Sequence, residues 1–350
     1  MFGKDKQTLL GLDIGSATVK LVELSRNQHE YRLQACVIEP VPVGLVVDKQ
    51  IHDVEALAAL LKRMHRASKS RYTQVVTAIG GDNVITRVVS LPLGLNEAEF
   101  EEQAMLEAEQ SLGVALDTVN VDFEVLGPTL SGDRVEVLLA ATRKDFIDHH
   151  QLAAQLAGLD LKIVDIEAFA LENAQPFYQQ QLPSGSGKTV ALIDIGHTTT
   201  TVNLIHHGKS VGHQTQRFGC QQLHERLIQQ SGMAESEIFL HLQQGSLPSQ
   251  YQNLCVEPFC QTAASQVSRL LQLMPGNGQV AELERVILSG GGALLTGMAA
   301  TIEAAIGQPA VVAQPLQGVQ INPLLSQTRL RRHGASLVIA LGLAMRGFEL

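Results

Sequence analysis

The stretch "LLGLDIGSATVKLVEL" (residues 9–24) decides the fold, because "ALIDIGHTTTTVNLI" (residues 191–205) repeats its design in the other half of the chain. In each copy an apolar strand ends in an aspartate, Asp13 or Asp194, and a glycine two residues on, Gly15 or Gly196, permits a tight turn. Hydroxyl-bearing residues follow, and a second strand leaves. The tip of such a hairpin can present backbone N–H groups and hydroxyls to an anion, while the aspartate holds a cation through water. A single tip reads as a surface hairpin. A matched pair, one per half, can grip a phosphate chain and its metal from two sides.

The bulk composition sets the frame for that reading. With 350 residues and 45% hydrophobic content, the chain is long enough for two domains of ordinary size, each with its own core. Charged residues make up 17%, and 26 basic against 35 acidic residues leave a net charge of −9, which repels a phosphate backbone. Nucleic acid is therefore not an expected partner. The opening "MFGKDKQT" passes straight into a strand-like run, without the apolar core and cleavage site of a secretory signal. The longest apolar run near the end, "LVIALGLAM", is nine residues, well short of the ~20 that span a bilayer. A soluble, cytosolic protein is expected. Cys36, Cys220, Cys255 and Cys260 are scattered without a C-x-x-C pair and read as reduced, mostly buried thiols.

Short β-rich runs alternate with amphipathic helical runs, the pattern of an α/β protein whose sheets are covered by helices. Strands are predicted at 9–14, 19–24, 75–79, 84–89, 121–126, 135–141, 161–166, 190–195 and 286–288. In "DVEALAALLKRMHRA" Val54, Leu57, Leu61 and Met64 form one apolar stripe, and in "PFCQTAASQVSRLLQLM" Phe259, Ala263, Val267 and Leu270 form another, stopped by Pro275 and Gly276. Residues 84–143 read strand, helix (97–112), strand, strand, and look like an inserted module. "QPFYQQQLPSGSGKT" has the composition of a linker or exposed loop, which puts a half-boundary near residue 186. Its "GSGKT" is a decoy for a phosphate loop: Leu182 stands where the first glycine belongs, and a strand follows Lys188 where a helix is required. His149–His150 and His206–His207 lack metal-ligand spacing and are expected on exposed sides or turns. The acid-rich helix 97–109 reads as a solvated face that could also line a partner site.

One more motif completes the set. "VILSGGGALLTGM" places Gly290, Gly291 and Gly292 between a strand and a helix, so that a flat ring or sugar could lie against bare backbone. The order of the first D-x-G turn, "VDIEAFALENA" (164–174), the second D-x-G turn and "SGGGA" resembles the actin-like ATPase superfamily of sugar kinases, chaperones, actin and FtsA. There these segments are the first phosphate loop, the first connecting helix, the second phosphate loop and the adenosine loop. "EAEFEEQAMLEAEQSLG", "VDFEVLGP", "VLLAATRKD", "FGCQQL" and the terminal "GLAMRGFE" narrow the resemblance to the PilM family of type IV pilus assembly. The chain stops at Leu350 without the tail that carries the membrane-binding helix of FtsA, which favours PilM.

That resemblance implies an actin-like (ribonuclease H-like) two-lobed α/β fold with an FtsA-type inserted subdomain. Residues 1–83 and 144–186 would be subdomain 1A, 84–143 the inserted 1C, 187–208 and 280–350 subdomain 2A, and 209–279 subdomain 2B. It implies ATP with Mg²⁺: Asp13 and Asp194 holding the metal through water, and Gly15, Ser16, Ala17, Gly196, His197, Thr198 and Thr199 at the phosphate loops. Lys20 would meet phosphate oxygens, and Gly219, Gly290, Gly291, Gly292 and Ala293 would complete the nucleotide set. In "EIFLHLQQG" (237–245) mostly apolar and neutral residues stand where the resemblance implies an acidic and a basic side chain offered to adenosine. Glu167 is the candidate for orienting an attacking water, beside the plainer role of an acid at a helix N-terminus; turnover should be slow or absent. The implied partner is the cytoplasmic N-terminal tail of the inner-membrane protein PilN, bound in a groove beside the insertion. Other inner-membrane and motor components of the pilus, and a homo-oligomer, are further possible contacts, with the membrane reached only through the partner. A sugar-kinase-type phosphotransferase and a filament-forming cytoskeletal protein are the alternatives.

Overall fold

The computed structural model describes residues 8–27, 30–113, 115–129, 131–182, 189–274 and 283–348. The stretch quoted first forms β1 (Leu10–Ile14) and β2 (Thr18–Asn27), antiparallel, with Asp13 opposite Lys20. β3 (Glu30–Pro40) continues the meander. A small hairpin, β4 (Val46–Val47) and β5 (Gln50–Ile51), leads into α1 (Val54–Ser68), and β6 (Gln74–Ile79) returns parallel to β1. All five residues of β1 are buried, as expected for a strand covered on both faces. Helix α1 starts where the Asp53 carboxylate accepts the Ala56 N–H, and it buries Leu57, Ala58, Leu60, Leu61 and Met64.

Next comes the inserted module: β7 (Val84–Pro92), α2 (Glu97–Leu112), β8 (Val119–Pro128) and β9 (Arg134–Arg143), with β9 central in a three-stranded sheet. Asn96 and Glu99 close a capping box at the start of α2, and Ala104 and Ala108 let the helix lie close on Leu91, Val135, Val137 and Leu139. The chain then rejoins the first sheet through α3 (Lys144–Ala157) and β10 (Asp160–Ile166), followed by α4 (Glu167–Asn173) and α5 (Gln175–Tyr178).

The second half repeats the plan. β11 (Thr189–Ile195), β12 (Thr200–His206) and β13 (Lys209–Gln216) form the meander. After them come α6 (Gln221–Ser231), α7 (Glu235–Gln244) and α8 (Glu257–Leu273). β14 (Leu283–Ser289), α9 (Met298–Ile306) and β15 (Ala310–Val312) complete the unit. The orders β10-β6-β1-β2-β3 and β13-β12-β11-β14-β15 are the same arrangement, with the first strand of each half central, antiparallel to the second and parallel to the fourth.

The last segment crosses over. β16 (Gln320–Ile321) pairs with β3, and after α10 (Gln327–His333) the buried helix α11 (Val338–Met345) packs on β1 and α4. Two glycines permit that contact: a Cβ on Gly11 would lie 2.0 Å from the Ala340 carbonyl oxygen, and one on Gly342 1.8 Å from that of Ala170. Strand β16 and helix α11 therefore sit on the first sheet, while Ala335 between them accepts the Gly290 N–H at the end of β14, whereas the sequence reading grouped 280–350 with the second. The all-apolar "LVIALGLAM" marks α11 as buried but not the lobe that buries it.

Other expectations also change. The start of the expected linker is core: Phe177 and Tyr178 are buried, and the Tyr178 hydroxyl donates to the Leu171 carbonyl. His150 is buried, not exposed, with its Nδ1 2.8 Å from the Phe146 carbonyl oxygen and its ring against Phe146. Strands β3 and β13, missed in sequence, are half polar because each lies beyond the central strands. The boundary near 186, the glycines of "GSGKT", and the Pro275–Gly276 stop lie outside the described residues, where α8 is followed to Leu273. Among the described residues, no helix is long and apolar enough to cross a membrane.

Candidate functional site

The two turns are built alike. Gly15 N–H donates to the Thr18 carbonyl (3.1 Å) and Gly196 N–H to that of Thr199 (2.9 Å), closing the same tight loop at the ends of β1 and β11. The tips meet face to face, with Ser16 Oγ 3.5 Å from Thr198 Oγ1. Between them opens a cleft with a cavity volume of about 300 Å³, at the lower end of the ~300–1,000 Å³ of common ligand pockets. Asp13, Gly15, Ser16, Ala17, Lys20, Asp194, Gly196, His197, Thr198, Gly290 and Gly291 all line it.

The remaining residues of the sequence-predicted set stand just behind this lining. Gly219 has no room for a side chain, since a Cβ would fall 2.4 Å from the His197 carbonyl oxygen. Cys220 and Gln221 N–H groups pin the second tip by donating to the Gly196 and His197 carbonyls. Gly292 packs on Ile195, and Ala293 is buried. Gly290 adopts φ +81°, and a Cβ there would meet the Ile195 carbonyl oxygen at 2.4 Å, so only glycine fits where β14 turns toward the cleft. Thr199 is buried, its carbonyl serving the turn.

Charge concentrates at one end. Lys20 Nζ lies 2.7 Å from Asp13 Oδ2, and Lys49 Nζ lies 2.5 Å from Glu167 Oε1; all four side chains are largely buried. Asp194 accepts a hydrogen bond from Ser289 Oγ at 2.9 Å. Burial, reinforced by the Glu167 carboxylate and partly offset by Lys49, pushes the Asp194 carboxyl up to about 6. Burial pulls the Lys49 ammonium down, but Glu167, Asp13 and Asp194 together outweigh it and hold the ammonium above its ordinary value. Three carboxylates face two ammoniums, a surplus of negative charge that a divalent cation relieves. Among the described residues, no group of three or more His, Cys, Asp or Glu side chains is placed to hold a metal directly. The donor set therefore fits a cation shared between two aspartates and an anionic ligand, with water between.

Sequence reasoning missed much of the remaining lining. Leu223, Phe239, Leu242, Leu294 and Leu295 supply an apolar wall, so "EIFLHLQQG" contributes bulk in place of charge. The His197 and His224 rings meet edge to face at 5.1 Å, and burial holds both below the ordinary histidine value, His224 down at about 4, so His224 is neutral at pH 7. A wall of leucines, a phenylalanine and imidazole suits a planar heterocycle. Arg332, His333 and Ser336 close the cleft from the C-terminal crossover. Lys49 occupies the two-residue turn Asp48-Lys49 between β4 and β5, both residues in the left-handed region (φ 48° and 66°), at a cost of roughly 1–2 kcal/mol each. The turn is legible in "VVDKQI", but nothing in that hexapeptide says that its lysine reaches a cleft.

Glu167 lines a second cavity instead, together with Gly80–Asp82, Val84–Thr86 of β7 and His213–Thr215 of β13. It is held by Lys49 and by close contact with Gly80, where a Cβ would lie 2.2 Å from Oε2. Glu167 thus lies outside the lining of the cleft that holds the two turns.

Comparison with known proteins places this geometry. The profile of the family described as "Type IV pilus assembly protein PilM" matches residues 11–348. A solved chain titled "PilM-PilN type IV pilus biogenesis complex" superposes with a TM-score of 0.83 at 25% identity, covering 99% of this chain and 100% of that one. The ethanolamine utilization protein EutJ of Carboxydothermus hydrogenoformans follows with TM-score 0.57 at 18% identity, covering 96% and 89%. MreB5 of Spiroplasma citri bound to AMPPNP matches with TM-score 0.52 at 14% identity, covering 97% and 95%. At those identities the last two speak for the actin-like fold alone.

Proposed function

Because the chain belongs to the PilM family of type IV pilus assembly proteins, we propose that it is a cytosolic ATP-binding scaffold that holds the cytoplasmic N-terminal tail of an inner-membrane PilN partner. Through that tail it would sit at the inner membrane and link the envelope-spanning complex to the motor. The observation that carries the nucleotide half is the Ser16–Thr198 approach across a cleft with Asp13 and Asp194 at its charged end. Asp13 and Asp194 would hold Mg²⁺ through water, and Mg²⁺ when bound would neutralise phosphate charge. Backbone N–H groups and hydroxyls of the two tips would take the phosphates, Lys20 would balance their charge, and the apolar wall would take the base. With Glu167 set in the wall of the second cavity and outside the lining of the cleft, hydrolysis would be slow, and the nucleotide would act by favouring one conformation.

The partner half rests on the likeness to a chain solved as a PilM–PilN complex. Ile85 and Val88 stand exposed on β7, at 44% and 52%, and residues 84–86 border the second cavity. An extended tail with apolar side chains would lie there. Calorimetric titration with a peptide of the PilN tail tests this reading. Wild type should bind, and Ile85→Glu with Val88→Glu should weaken binding at least tenfold while leaving Mg-ATP affinity unchanged. No heat with wild type would remove the scaffold reading; fast phosphorylation of a sugar in a coupled assay would replace it with a kinase.

A further inference from the structure

Lys49 comes from outside the repeated turns, yet it reaches the charged end of the cleft. Its backbone is left-handed at the second position of a two-residue hairpin loop, where glycine is the unstrained choice. A lysine kept at such a position points to a role for its side chain. That side chain is only 13% exposed, and its ammonium lies within electrostatic reach of Asp13 and Asp194, the two aspartates at the metal end. On its other side it pairs with Glu167 at 2.5 Å. Glu167 in turn lines the second cavity, between β7 of the inserted module and β13 of the second sheet. One ion pair thus spans the wall between the two cavities.

We propose that Lys49 senses the terminal phosphate of a nucleoside triphosphate, leaving Glu167 for the phosphate oxygens, and that the released Glu167 carboxylate resets the second cavity at the base of the inserted module. The proposal rests on the nucleotide reading above. A lysine suits the exchange, because its four-carbon stem swings a point charge between acceptors without geometric demand. A diphosphate lacks the third phosphate that would compete with Glu167, so it leaves the pair intact. The two nucleotides then differ in what they do beside β7, although both occupy the same cleft.

The test is equilibrium binding of Mg-ATP and Mg-ADP to wild type, Lys49→Met, Lys49→Gly and Glu167→Gln. Wild type should favour ATP. Lys49→Met should lose about 10- to 100-fold in ATP affinity, the scale of one charge-assisted hydrogen bond, with ADP changed less than threefold. Lys49→Gly, which suits the left-handed backbone, should behave the same and removes misfolding as an explanation. Glu167→Gln should raise ATP affinity, since the competing carboxylate is gone. In hydrogen–deuterium exchange, ATP should alter the protection of residues 80–86 in wild type and not in Lys49→Met, while ADP alters it in neither. Equal losses for ATP and ADP in both Lys49 variants, or ATP-dependent exchange that survives Lys49→Met, would overturn the proposal with the nucleotide reading intact. Wild type that binds neither nucleotide would overturn that reading, and the proposal with it.

Discussion

Asp194 carries a buried carboxylate whose charge costs the fold stability. Its carboxyl, buried and facing Glu167, titrates near 6 when folded against about 3.8 when unfolded. Between those values the folded chain keeps a proton on Asp194 that the unfolded chain has released, so the contribution of Asp194 to stability falls as pH rises through about 4 to 6 and stays lower above, against the opposite contribution of His224. Asp194→Asn keeps an acceptor for Ser289 and removes the buried charge. It should raise the stability of the nucleotide-free protein at pH 8 by about 1–3 kcal/mol, measured by urea unfolding, with no gain at pH 3.5. The same titration should weaken Mg-ATP binding to wild type below about pH 6, because a protonated Asp194 cannot hold the cation. A stability difference between wild type and Asp194→Asn that does not change from pH 4 to 7 would refute this account of Asp194. The aspartate itself was legible in "LIDIG", but its raised titration was not, since burial and the Glu167 carboxylate, both set by distant parts of the chain, raise it against the partial offset of Lys49.

The elements follow rules that sequence carries well where burial is two-sided or caps are present. β1 and β11 are apolar runs ending in Asp-Ile-Gly, and α1 and α2 begin at Asp53 and Asn96. Elements whose faces are mixed, such as β3 and β13, escaped because their polar residues weaken the period-two signal. The contact between α11 and α4 was hidden for another reason: "GLAM" says that a glycine is present but not which backbone comes near it. Gly342→Ala would drive a Cβ into the Ala170 carbonyl, with no flexible side chain to yield. We expect a loss of at least about 2 kcal/mol, a drop of several degrees in Tm by calorimetry, whereas alanine at the open Gly291 should cost much less. Equal effects would show that the helix can shift and that the packing argument fails.

At the scale of the whole molecule, duplication carries most of the design. Two sheets of identical strand order bring the ends of their central strands together, and that places Ser16 near Thr198 although nothing local in either turn refers to the other. The repeat made that meeting an expectation, so the residues of the two facing tips could be named from sequence. The apolar wall, Lys49 and the crossover residues Arg332 and His333 could not, because they enter the cleft from segments without a repeated signature. The inserted module interrupts only the first half, between β6 and α3, so one lobe carries the added module while both line the cleft.

The central claim is that the two turns act as one grip on a single Mg-triphosphate. Calorimetric titration of Mg-ATP into wild type, Asp13→Asn, Asp194→Asn and the double variant tests it most directly. The account predicts that each single substitution weakens binding by about 30-fold or more and that the double loses little beyond either, as for residues holding one ligand jointly. Affinity unchanged in both single variants, or the full product of the two losses in the double, would contradict it.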